Sequence, residues 1–77
     1  MSRKRALHPY ERKYLMDAAN GYTAHQSAKR NGVSVHTVQS SIKTAKSALG
    51  AFNVTHAVTL ALTYGEFTLK DIYDRGL

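Results

Sequence analysis

The chain has 77 residues, 43% of them hydrophobic, a formal net charge of +6 and no cysteine. That length makes one small domain, which buries only about 60% of the surface its unfolded chain exposes, while the hydrophobic share argues against disorder. The absence of cysteine excludes a disulfide framework and any thiolate metal site or nucleophile. No apolar run reaches the roughly 18 residues of a membrane span and no signal peptide stands at the start, so a soluble, cytoplasmic protein is expected. Charge placement is uneven. Residues 1–50 hold nine Lys and Arg against Glu11 and Asp17, a net +7; residues 51–77 hold Lys70 and Arg75 against Glu66, Asp71 and Asp74, a net −1. The positive field lies on the first two thirds of the chain, as phosphate binding requires.

In chain order, residues 1–6 form a basic N-terminal arm with Arg3-Lys4-Arg5. It reads either as a frayed, solvated terminus or as an arm that rests on phosphates or enters a minor groove. Pro9 then suits the first turn of a helix, where its missing N–H costs nothing, and Glu11 two residues later complements the helix dipole. This helix runs to about Asn20 with Glu11, Tyr14, Leu15 and Ala18 inward, Tyr22 beyond its end, and Gly21 as breaker. Thr23-Ala-His-Gln26 is a capping box. The second helix, Ala24 to Asn31, turns a half-polar stripe of Ala24, Ser27, Ala28 and Asn31 inward and stops at Gly32.

Gly32-Val33-Ser34 leads into the central element of the chain. Ser34 is an N-cap and Gly50 a left-handed terminator; between them Val38, Ile42, Ala45 and Leu49 make one apolar stripe. At about 100° per residue the opposite face carries His36, Gln39, Ser40, Lys43 and Ser47. Such a face is either that of an ordinary solvated surface helix or one suited to a DNA major groove, where Gln pairs bidentately with adenine, Lys reaches guanine, and small Ser side chains permit close approach. A short helix, a tight Gly-containing turn and a helix with outward polar residues form the helix-turn-helix arrangement. In the linker after Gly50, Phe52 or Val54 is expected to be buried. Thr55 is expected to cap a fourth helix with Ala57, Val58, Ala61 and Leu62 toward the core. Leu60 and Tyr64 fall off that stripe beside His56, as scattered surface residues or as a subunit contact. Thr68-Leu-Lys-Asp71 reads as another cap, before a short terminal helix with Leu69, Ile72 and Tyr73 that closes at Gly76.

These fragments together resemble a known family. Leu7-x-Pro9-x-Glu11-Arg12, Gly21-Tyr22-Thr23, Gly32-Val33-Ser34-Val-x-Thr37-Val38, Ile42, Leu49-Gly50 and Thr55-x-Ala57-Val58-x-x-Ala61-Leu62-x-x-Gly65-Glu66-Phe67 follow the order and spacing of the LuxR-type (GerE-like) DNA-binding domain. In length the chain is similar to stand-alone members of that family. The resemblance implies an all-α, four-helix helix-turn-helix domain over residues 7–67. A C-terminal extension, 68–77, carries the short fifth helix. It implies a homodimer with the third helix of each copy in the major groove and the fourth helix at the dimer contact, to which His56, Leu60 and Tyr64 are assigned. It places Gln39, Ser40 and Lys43 at base-reading positions, with His36 beside them. Thr23, Thr37 and Lys46 fall at or near phosphate-contacting positions, to which Ser47 and the arm residues Arg3, Lys4 and Arg5 are added. The chain departs from the family at His8, where Thr or Ser is usual, and at Asp17, Ser27 and Asn31, where large apolar residues are usual. Gln39 and Ser41 replace a basic residue and a His. The polar replacements thin the core between the first three helices; either Tyr14 and Tyr22 fill that space or the domain is marginally stable.

The leading expectation is therefore a sequence-specific regulator of transcription that binds double-stranded DNA, of bacterial or phage origin, associated with the nucleoid. The alternative is a protein-interaction module that binds RNA polymerase or sequesters a related regulator, since the third helix also resembles that of region four of bacterial sigma factors. No enzyme, metal or cofactor is expected. The four His (8, 25, 36, 56) show no metal-ligand spacing and the acidic residues form no evident pair.

Overall fold

Among the described residues the chain forms five helices: α1 (Pro9–Ala19), α2 (Ala24–Asn31), α3 (Val35–Leu49), α4 (Val54–Thr63) and α5 (Leu69–Tyr73). They are seen in a computed structural model that describes residues 3–73, Tyr73 by its backbone alone. The expected closure at Gly76 lies outside the described residues. The fold is all-α, and none of its helices is long and apolar enough to cross a membrane.

Local chemistry sets each boundary. Pro9 opens α1, and the Glu11 carboxylate accepts from the His8 amide at 2.8 Å. Thr23 and Gln26 cap α2 reciprocally: the Thr23 hydroxyl accepts from the Gln26 amide (3.1 Å) and the Gln26 side chain from the Thr23 amide (2.9 Å). Ser34 accepts from the Thr37 amide at 3.1 Å and so starts α3. Gly32 and Gly50 end α2 and α3 at φ +66° and +71°, a conformation that costs a residue with a Cβ but not glycine. Thr68 and Asp71 form the reciprocal cap of α5. The fourth helix differs from expectation. Asn53, not Thr55, is its cap, with Oδ1 accepting from the His56 amide at 2.8 Å, so the helix begins at Val54. An Asn at N-cap is at least as effective as Thr, and here it sits where the chain first turns.

α3 is the element on which α1, α2 and α4 all pack, and α5 closes against α1. The larger core cluster joins Leu7, Leu15, Ala45, Ala48, Leu49, Ala57, Leu60, Ala61, Phe67 and Ile72. A smaller one, Tyr14, Ala28 and Val38, lies between α1, α2 and the first half of α3. Two expectations are corrected. Leu60, expected off the core stripe, is buried, while Val58 and Leu62 are only half-buried. Starting α4 two residues earlier leaves its sequence register unchanged, but Ala57, Leu60 and Ala61 (i, i+3, i+4) are the side that meets α1 and α3. Phe52 is 87% exposed, and its place against the core is taken by Val54.

Candidate nucleic-acid interface

The exposed face of α3 carries the side chains expected there. His36, Gln39, Ser40, Lys43 and Ser47 are all exposed, and Val38, Ala45 and Leu49 are buried beneath them. Ser41, on the inward side, is buried with its hydroxyl donating to the Thr37 carbonyl, so it is no part of the outer face. Neither α2 nor α3 contains an acidic residue. The face offers the Lys43 ammonium, the donor–acceptor amide of Gln39, two hydroxyls and an imidazole, a set that matches the edges of bases in a major groove.

Two grooves flank this face. On one side Gln39, Ile42, Lys43 and Lys46 line a groove with Tyr22 and Ala24. Thr23, at the start of α2, is exposed on that flank, and Thr37 is exposed with its hydroxyl 2.9 Å from that of Ser34. On the other side Thr44, Ser47 and Ala48 face Lys4 and Arg5 of the arm. Residues 3–5 of the arm are tied to the body of the protein. The Lys4 amide donates to the Ala48 carbonyl at 2.8 Å, Arg3 pairs with Glu66 at 2.7 Å, and Arg5 forks onto both oxygens of Glu11 at 2.7 and 2.8 Å. Of the three arm residues assigned to phosphates, Arg3 and Arg5 are thus engaged within the protein, and Lys4 is exposed beside α3.

Buried carboxylates hold this frame. Glu11 is fully buried and accepts from Arg5, from the His8 amide and from the Thr44 hydroxyl (2.6 Å). The Arg5 hydrogen bonds, with those from Thr44 and His8, hold its carboxyl down at about 2 against the opposing effect of burial. Glu66 accepts from Arg3, from Arg12 at 3.2 Å and from the Leu7 amide at 2.8 Å. Asp17 accepts from Ser27 (2.7 Å), Arg30 (2.6 Å) and Asn31 (3.0 Å), and Asn31 also donates to the Ser27 carbonyl at 2.7 Å. The polar replacements in the first two helices therefore do not leave a thinned core. They bond to one another, Tyr14 is buried next to them, and the Arg30 guanidinium lies 4.4 Å from the centre of the Tyr22 ring.

The expected α4 contact is rearranged. With Leu60 buried, His56 and Tyr64 remain half-buried, and Arg3 lies 5.5 Å over the Tyr64 ring. The exposed Phe52 ring stacks on His56 at 5.4 Å, and the His56 Nδ1 accepts from the Phe52 amide at 3.1 Å. Residues 51–64 contain no charged side chain. Of Phe52 and Val54, the two candidates for burial, Val54 packs against the core and Phe52 does not; the Asn53 cap lies between them. The four Arg–carboxylate pins had no local signal, because their partners are 6 to 63 residues apart. Among the described residues no group of three metal-ligating side chains gathers. No family model matches the sequence, and no curated protein is significantly similar to it.

Proposed function

We propose that the protein is a transcriptional regulator that binds double-stranded DNA by sequence, placing α3 in the major groove. The observation that carries this reading is the outer face of α3: five exposed polar or basic side chains, no acid on α2 or α3, and a flat apolar stripe that anchors the helix beneath. Gln39, Ser40, Lys43 and His36 read base edges, while Thr23, Thr37, Lys46 and Ser47 sit toward the phosphates on the flanks. Such a protein acts in the cytoplasm, on the nucleoid. The active form is a homodimer through the α4 side, with Phe52, His56 and Tyr64 in the contact; residues 51–64 carry no charge of their own, and Arg3 over Tyr64 is paired with Glu66, which lets two strongly basic copies approach.

The test is selection from random duplexes at near-physiological salt. Two half-sites about one helical turn apart are the expected outcome, with Lys43→Ala and Gln39→Ala each costing roughly 1–3 kcal/mol on the selected site. Both variants binding like the wild type would remove α3 as the reader. One feature also favours a protein contact of another kind. The exposed Phe52 ring fits a partner such as RNA polymerase or a related regulator, and that reading takes precedence if no sequence is enriched and retention simply fades with salt.

A further inference from the structure

The arm offers more than a frayed basic tail. Arg3 and Arg5 turn back onto the protein, while Lys4 between them is exposed. Their anchors lie on different elements: Arg3 on Glu66, just after α4, and Arg5 on Glu11 in α1. Both anchoring carboxylates are nearly sealed from water, at 4% and 0% exposure of their side chains. Between the two pins, the Lys4 amide is bonded to Ala48 of α3 at 2.8 Å, and Lys4 shares a groove with Thr44 and Ser47. The chain at residue 4 is thus fixed on the flank of α3 opposite the one that holds Gln39, Lys46 and Tyr22.

Resting on the DNA-binding reading of α3, we infer that residues 3–5 are a clamped strap whose purpose is to present Lys4, with Ser47, to a phosphodiester of the strand that borders this second flank. Arg3 and Arg5 are positioning residues that do not touch DNA. A helix lying in a major groove meets a phosphate strand on each side, and both lysines of α3, the base-reading Lys43 and the phosphate-facing Lys46, lie toward the first flank. The strap supplies the cation the second flank lacks. A lysine whose backbone is already ordered gives up less freedom on binding than one on a disordered tail. No ion pair among the described residues involves Lys4, so its ammonium meets a phosphate without first leaving a carboxylate.

The experiment is a salt titration of the full chain on its selected duplex, comparing wild type, Lys4→Ala and Glu66→Gln, with thermal melts to follow folding. Lys4→Ala changes an exposed side chain, so it folds. It is expected to reduce the slope of log affinity against log salt by about 0.9, the share of one phosphate contact, without altering the preferred sequence. Glu66→Gln loosens both Arg3 and Arg12 and removes one negative charge; with Arg3 as a clamp, affinity stays equal or falls. A slope unchanged in Lys4→Ala overturns the strap, as does tighter binding with a steeper slope in Glu66→Gln that an added Arg3→Gln abolishes, which makes Arg3 itself the phosphate ligand. Either result leaves the selected sequence intact and so the reading of α3 standing. A wild type that selects no sequence ends both.

Discussion

The second half of α3 lies in an apolar cluster of Leu, Ala and Phe side chains, whereas its first half packs through Val38 on Tyr14 and Ala28, with α1 and α2 joined by a carboxylate bonded to three neighbours. Apolar burial is non-directional and answers mainly to volume. Hydrogen bonds to Asp17 fix distance and angle, so α2 is set on α1 by geometry rather than by bulk. The candidate reader belongs largely to the geometrically held end, because His36, Gln39 and Ser40 precede the point where the larger cluster begins at Ala45. Small helices that must hold a partner at a defined angle gain more from such fixed directions than from an adaptable greasy contact.

The largest effect is expected at Glu11, which ties the arm and α1 to the second half of α3. Glu11→Ala breaks a buried pair and should cost about 3 kcal/mol, at the lower end of such losses because Arg5 regains water. Chemical denaturation measures it. The same residue sets a pH dependence. Its folded carboxyl titrates at about 2, below the ordinary 4.5, so its stabilisation is complete above about pH 4.5 and is lost as pH falls toward 2. The loss amounts to roughly 3 kcal/mol over that window, and Glu11→Gln should remove most of the acid limb of a stability–pH curve.

A smaller effect separates the two ends more sharply. Asp17→Ala leaves Ser27, Asn31 and Arg30 without their acceptor and should cost about 2 kcal/mol. Replacing the set together, with Asp17→Leu, Ser27→Ala and Asn31→Leu, should be near neutral or stabilising. If the polar set fixes geometry, the triple variant keeps its melting temperature yet binds its selected duplex more weakly. Equal affinity would show that volume alone positions α2. The smallest effect is local: Ser34→Ala removes the α3 cap and should cost about 1 kcal/mol in a thermal melt.

The helices were legible because their boundaries rest on nearest-neighbour chemistry. Thr23 with Gln26, Ser34, Gly32 and Gly50 each specify a turn within four residues, and the α3 stripe follows from its period. The start of α4 was less so, since Asn53 and Thr55 are both good caps. Its inward side was not fixed by sequence either, because an apolar helix offers more than one stripe and packing on α1 and α3 selects the one with Leu60. The outer face of α3 was readable as the complement of its stripe. The clamping of the arm was not, because a carboxylate 63 residues from Arg3 leaves no trace in local pattern. Nor does polarity at Asp17, Ser27 and Asn31 show by itself whether those groups will find one another.

The basic residues divide by chemistry. Among those described, Arg3, Arg5, Arg12 and Arg30 each pair with a buried carboxylate, and Lys4, Lys13, Lys29, Lys43, Lys46 and Lys70 pair with none. The amines of lysine attack acyl donors and guanidinium groups do not, and each acylation deletes one charge. Acetylation would therefore extinguish the outward positive field one amine at a time while the pins that hold the helices stay in place. Attraction to polyanions is erasable in this molecule, and its architecture is not.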